Sequence, residues 1–217
     1  MPPVTRGNGL LEGFLARMRC RMANKLIGGP EPLGRARDRL RRRTGRILDI
    51  GCGSYPLFLE QVEMKEKTGI DQVVGDALKT RWAARGITLI GKDLDRDPLI
   101  PLPDGSFDVV TMLAVFEHVE ADKLPFIIRE IHRVLKPGGI YVVTTPARWT
   151  DPILATMSFL RFVSADEIDE HEETHTRQSM KNTIANGGFS LENIETGTFE
   201  CGMNLWARAT KLNIDNE

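Results

Sequence analysis

Apolar and polar positions divide the chain into three stretches of different texture. Leu11, Phe14, Leu15, Met18, Met22 and Leu26 recur at helical spacing. That spacing predicts an amphipathic helix over about residues 9–27, with Arg17, Arg19, Arg21 and Lys25 largely off the apolar stripe. Gly28-Gly29-Pro30 ends it, and a second short, Arg-rich helix is predicted from Gly34 to Arg43. From residue 46, short apolar runs alternate with helical stretches. Ile47 to Ile50, Thr68 to Asp71, Ile87 to Ile90, Phe107 to Leu113 and Gly139 to Thr145 read as strands. Between the last two, Phe126, Ile127, Ile131, Val134 and Leu135 repeat with helical period, and Pro137-Gly138-Gly139 stops that helix. Strands alternating with helices imply an α/β fold, a parallel sheet with helices on both faces. The last stretch differs. Met180, Ile184 and Ala185 predict a helix closing at Asn186-Gly187-Gly188. Phe189 to Thr198 and Leu205 to Thr210 then follow as two strands with no helix between them, which suits a hairpin on one sheet edge.

Composition adds little to this picture, but charge adds something. At 217 residues, 41% apolar and 27% charged, the chain can bury a core without disulfides. Its three cysteines, Cys20, Cys52 and Cys201, form no CxxC pair, which argues against a disulfide scaffold and a structural zinc site. No apolar run approaches the ~20 residues of a membrane span, and no secretory pattern opens the chain, so a reducing, cytoplasmic setting is expected. The net charge of -1 argues against a polycation built for nucleic acid. That total hides an asymmetry. Residues 1–46 carry twelve Lys/Arg against three acids, whereas residues 163–217 carry four against eleven. Either the two ends attract each other in the fold, or the head is a basic arm for anionic lipid or nucleic acid.

The chemistry is concentrated at Leu48-Asp49-Ile50-Gly51-Cys52-Gly53-Ser54, where a buried strand runs into a glycine turn. A missing Cβ lets a ligand approach the backbone closely there. Asp71 lies twenty residues after Gly51, at the end of the next predicted strand, where an acid can accept both hydroxyls of a ribose. A dinucleotide fingerprint needs G-x-G-x-x-G, and its third position here is Pro56, which disfavours a nicotinamide or flavin cofactor.

Asp49-Ile50-Gly51-Cys52-Gly53 resembles the first motif of the class I S-adenosylmethionine-dependent methyltransferases. The resemblance continues in order for about a hundred residues: Gly69-Ile70-Asp71, Lys92-Asp93-Leu94, Leu102 to Val110, Glu117-His118-Val119, and Arg133 to Gly139. It implies a Rossmann-like, doubly wound, seven-stranded, mostly parallel sheet with a C-terminal antiparallel hairpin and N-terminal helices. It implies S-adenosylmethionine as cofactor, S-adenosylhomocysteine as product, and a cofactor-binding set of Asp49, Gly51, Cys52, Gly53, Asp71, Asp93, Leu94 and Ala114. Asp71 would take the ribose; Asp93 and the backbone of Leu94 would take the adenine. Where the family often has a third glycine this chain has Tyr55, whose ring is placed beside the methionine part of the cofactor. Cys52 is expected to fill space beneath the cofactor rather than act as a nucleophile.

In such enzymes transfer is an in-line displacement that depends on orientation, and a base matters only for a protonated acceptor. His118 is the candidate base; the alternative is that Glu117-His118 caps the next helix. The Glu-His-Val run is also similar to quinone-biosynthesis O-methyltransferases, in which a metal is associated with this segment. Those enzymes carry a further Glu where this chain has Ala114, so no metal is expected. His171 and His175 lie in an acidic stretch, where they fold over the acceptor, ligate a metal as a pair four apart on a helix, or sit in a solvated loop, and His132 is expected at the surface. Residues 1–45 read as a basic helical extension, residues 46–217 as the methyltransferase domain, and residues 149–176 as a substrate-side insertion. Helix 9–27 could form a lid, pack on the sheet or touch an anionic membrane. The expected function is methyl transfer to a small-molecule or lipid-precursor acceptor at oxygen. An RNA or protein methyltransferase and a non-catalytic cofactor binder are the alternatives.

Overall fold

The apolar runs become strands whose side chains alternate between two packed layers, as the period-2 geometry of a strand requires. The computed structural model describes residues 12–28, 44–147 and 176–212. In chain order these hold α1 (Glu12–Gly28), β1 (Arg46–Ile50), α2 (Leu57–Gln61), β2 (Glu66–Asp71), α3 (Asp76–Ala83), β3 (Ile87–Gly91), β4 (Phe107–Leu113), a 3-10 turn (Phe116–His118), α4 (Leu124–Val134), β5 (Leu135–Pro146), α5 (Arg177–Asn186), β6 (Ile194–Phe199) and β7 (Asn204–Thr210). The helix predicted over residues 34–43, His171, His175 and the stretch 149–175 lie outside the described residues.

The sheet has seven strands in the order β3-β2-β1-β4-β5-β7-β6. β1 pairs in parallel with both β2 and β4. β7 pairs antiparallel with both β5 and β6, so it is the strand that runs against the rest. One layer packs α4 and α5 on the sheet through Ile127, Ile131, Val134, Met180 and Ile184 against Leu48, Val110, Met112 and Val143. The other packs Cys20, Ala23, Ile27, Phe58, Leu59 and Trp82 against Ile47, Val109, Ile140 and Val142. Each fully buried Leu, Ile or Val contributes about 1.5–3 kcal/mol.

Four sequence expectations change. In α1, the small residues Ala16, Cys20 and Ala23, with Ile27, are buried, whereas Phe14 is 52% exposed. Small side chains let the helix approach the sheet closely, and the bulky stripe of Leu15, Met18 and Met22 falls on a half-buried flank. Arg208 Nε of β7 donates to the Leu26 carbonyl at 3.0 Å, tying the helix end to the sheet. α4 ends at Val134, before Pro137, because Leu135 is extended and pairs with Phe107. The last-turn carbonyls of that helix accept from Gly105 N (3.0 Å), Ser106 N (2.8 Å) and Lys211 Nζ (2.7 Å). Phe126, counted in the apolar face of this helix, is exposed. β6 starts at Ile194, after a 3-10 turn over Leu191–Asn193, rather than at Phe189. No helix among the described residues is long and apolar enough to cross a membrane.

Candidate active site

Strand order reverses between β1 and β4, and ligands of open α/β sheets bind beyond the carboxyl ends of the strands at such a point. The glycine turn occupies this place. Gly51 N and Cys52 N donate to the Ile70 carbonyl at 2.8 and 3.3 Å, pinning the turn to the end of β2. Gly51 and Gly53 have φ of 72° and 69°, the left-handed region that favours glycine. Their second purposes differ. A Cβ on Gly51 would stand 2.2 Å from Val115 Cγ2, so this glycine makes room for the exit of β4. At Gly53 the nearest atom to an added Cβ is Tyr55 N at 4.0 Å, which leaves the floor of the site open.

Asp71 ends β2 and is 6% exposed. Its Oδ2 accepts from Gly53 N at 2.8 Å and its Oδ1 from Val73 N at 3.0 Å. Asp49, on β1, accepts from Thr111 Oγ1 at 2.6 Å. Burial pushes its carboxyl up to about 7, with the Thr111 bond opposing and the charge of Asp71 adding to the rise. Cys52 is buried, and its Sγ lies 2.6 Å from where a Cβ on Gly69 would stand, so Gly69 is the space that admits it. Burial, with the charges of Asp49 and Asp71, pushes its thiol well above the ordinary range, which keeps it a thiol and a poor nucleophile.

Asp93 follows β3, where Lys92 N donates to the Asp71 carbonyl at 3.2 Å, so both acids sit at neighbouring strand ends. Asp93 Oδ1 accepts from Asp95 N (3.0 Å) and Arg96 N (3.1 Å), shaping its own turn, and the Leu94 side chain is buried in the core. Ala114, just past β4, has φ 54°, a conformation costing a non-glycine residue about 1–3 kcal/mol, and its N–H donates to the Thr144 carbonyl at 3.0 Å. The bend turns Val115 onto Gly51. Glu117 and His118 follow in the 3-10 turn packed on β5. Glu117 is 4% exposed, with one carboxyl oxygen buried and without a hydrogen-bond partner among the described residues; the hydroxyls of Thr144 and Thr145, at the end of β5, are in the same condition. His118 is half-buried.

Tyr55 does not stand over the ligand floor. Its ring meets Trp82 edge-on at 5.2 Å and its hydroxyl donates to Glu60 Oε2 at 2.7 Å, so it points outward to α2 and α3. His132 is half-buried, not at the surface, with its ring edge-on to Phe189 at 4.9 Å. Burial, then the charge of Lys211, lowers its pKa. Among the described residues no group of three His, Cys, Asp or Glu is gathered. Thr111, Val115 and Trp82 were not singled out from the sequence. A polar Thr within the apolar run Phe107 to Leu113 was the available signal for the first, whereas the other two look like ordinary core.

The open face at Gly53 and the buried Asp71 beside it fit a nucleoside whose ribose takes the acid. Comparison with known proteins bears on the family. Residues 48–143 match the family described as a methyltransferase domain. A probable S-adenosylmethionine-dependent methyltransferase of Mycolicibacterium smegmatis is 49% identical over 111 residues, covering 50% of this chain and 41% of that protein. A ubiquinone biosynthesis O-methyltransferase of Nitrosococcus oceani is 28% identical over 156 residues, 69% of this chain and 65% of that protein. A tRNA N(3)-cytidine methyltransferase of Bos taurus is 25% identical over 138 residues, 59% of this chain and 35% of that protein. The chain thus spans less than two thirds of the length of each of these relatives. The crystal structure of an S-adenosylmethionine-dependent methyltransferase from Mesorhizobium loti shares the fold, with a TM-score of 0.56 at 21% identity over 79% of this chain and 93% of that one. Over residues 48–143 the ordered motifs, the strand order and these matches make the chain similar to the class I S-adenosylmethionine-dependent methyltransferases.

Proposed function

We propose that this chain transfers a methyl group from S-adenosylmethionine to a small-molecule or lipid-precursor acceptor, at oxygen. The observation that carries the reading is the buried Asp71, held 2.8 Å from Gly53 N at the switch point of the sheet. Bound S-adenosylmethionine supplies a methyl already activated on a sulfonium, so orientation is what the protein must add. In this reading Asp71 holds the ribose. Asp93 and the Leu94 backbone face the adenine. Gly51, Cys52 and Gly53 form the floor, with Asp49 beneath and Ala114 at the methionine side. His118 stands on the acceptor side and takes the proton of an O–H acceptor as general base. Oxygen as the target is supported by the likeness to ubiquinone biosynthesis O-methyltransferases.

A second reading, methylation of RNA, has its own support. Arg17, Arg21 and Lys25 share the exposed face of α1, and tRNA methyltransferases are among the relatives. The two are separated by supplying S-adenosylmethionine with either a lipid and small-molecule extract or bulk tRNA, and measuring S-adenosylhomocysteine formation. The small-molecule reading expects turnover with the extract and background with tRNA. Turnover with tRNA, with salt-sensitive RNA binding lost on replacing the exposed Arg17, Arg21 and Lys25 by Ala, would replace it by the RNA reading. Cofactor binding with no transfer to either pool would favour a non-catalytic binder.

A further inference from the structure

Glycine turns are conformationally loose, because glycine has the most backbone freedom to lose. Something must hold this one in shape. On its outer side Trp82 is fully buried, and its Nε1–H, the indole's single donor, reaches the Ser54 carbonyl at 3.2 Å. Tyr55, the next residue, sets its ring edge-on to the same indole. Its hydroxyl donates to Glu60 Oε2, and Glu60 Oε1 accepts from Arg85 Nη1 at 2.8 Å. The Arg85 guanidinium lies 5.0 Å over the Trp82 ring, which closes the circuit.

We propose that Trp82 and Tyr55 are positioning residues that clamp the glycine turn in its ligand-receiving shape, replacing the backbone solution that a third glycine would give. The proposal rests on the reading of this turn as the cofactor site. Segment β2–α3 grips the turn twice, inside through Asp71 to Gly53 N and outside through Trp82 to the Ser54 carbonyl. Ribose hydroxyls would share Asp71 with Gly53, so the inner grip loosens as the ligand arrives. The outer grip faces away from the ligand and persists in both states. Without it, a smaller fraction of the protein holds the binding-competent turn, and apparent affinity falls by that fraction.

The test compares wild type, Trp82→Phe and Tyr55→Gly, using S-adenosylhomocysteine calorimetry, thermal melting and amide hydrogen exchange. Trp82→Phe keeps an aromatic ring and deletes the N–H. Its expected effect is a dissociation constant raised about 3- to 10-fold, the range of one lost hydrogen bond. Faster exchange at residues 51–56 of the ligand-free protein should accompany it, with protection restored by saturating ligand. Tyr55→Gly installs the family's glycine at a half-buried site and is expected to weaken binding as well. A lowered melting temperature with dissociation constant and local exchange unchanged in both variants would reduce the cluster to core packing and overturn the clamp. If wild type itself fails to bind, the cofactor reading falls. Exchange in the ligand-free proteins then still decides the clamp: faster at 51–56 supports it, unchanged overturns it.

Discussion

Gly51 and Asp49 show how much of the site is set by single residues meeting distant neighbours. Gly51 is needed twice over, for its φ of 72° and for the Val115 methyls that occupy the space of a Cβ. Gly51→Ala is therefore expected to lower the melting temperature, and Val115→Ala in the same chain should recover the part due to overlap but not the ~1–2 kcal/mol due to backbone conformation. A double-mutant thermal-melt cycle checks this. Asp49 makes a pH prediction. Its carboxyl is pushed up to about 7 in the fold from an ordinary 3.8, so the native state binds more protons than the unfolded state between these values. Stability from this group is then full below the ordinary value and is lost as pH rises through the window, by on the order of 4 kcal/mol. Asp49→Asn should flatten that portion of the denaturation midpoint plotted against pH. Asp71→Ala is expected to weaken S-adenosylhomocysteine by about 1–3 kcal/mol, a loss that calorimetry reads directly.

At the scale of elements, α4 is the best-terminated helix near the site. Arg133, in its last turn, donates to the carbonyls of Ile100 (2.8 Å) and Leu102 (2.9 Å) and pairs with Glu130 and Asp104. Glu130 in turn accepts from Ile100 N at 2.9 Å. This one side chain therefore fixes residues 100–104 on the path from β3 to β4. Arg133→Met keeps the apolar stem and removes every donor, leaving Glu130 without its cation. We expect a loss of about 2–3 kcal/mol, read in urea denaturation as a lower midpoint at an unchanged slope. The same logic explains α5, whose start is fixed by a reciprocal Thr176–Ser179 capping box. Its end is fixed by Gly187, which leaves room for Ile128 of α4.

For the whole molecule, binding at the switch point couples the two core layers, because β1 and β4 carry side chains into both. A ligand that binds only the native state stabilises it by about 2.7 kcal/mol at a hundredfold excess over its dissociation constant. For a chain of this size that corresponds to a melting temperature raised by roughly 5–10 °C. S-adenosylhomocysteine should produce this rise, and NADH should not. A rise with NADH alone would overturn the cofactor assignment.

Local backbone requirements and strand periodicity were legible in the sequence by themselves. The glycine turn after β1, the acid at the end of the next strand, the alternation that makes a parallel sheet and the unbroken pair of final strands all follow from residues close together in the chain. Contacts between distant residues of ordinary type were not legible. Periodicity weighs bulk and hydrophobicity, so it chose the Met and Leu stripe of α1, whereas the sheet accepted the face with the smallest side chains. The Trp82 bond to the Ser54 carbonyl spans 28 positions and the Thr111 bond to Asp49 spans 62, and neither residue carries a local mark of its partner. Tyr55 was read as a ligand neighbour because its place in the motif is next to the ligand. Only the packing of α3 decided that its ring turns outward, since a buried indole and a paired Glu60 offered it more contact than the open turn.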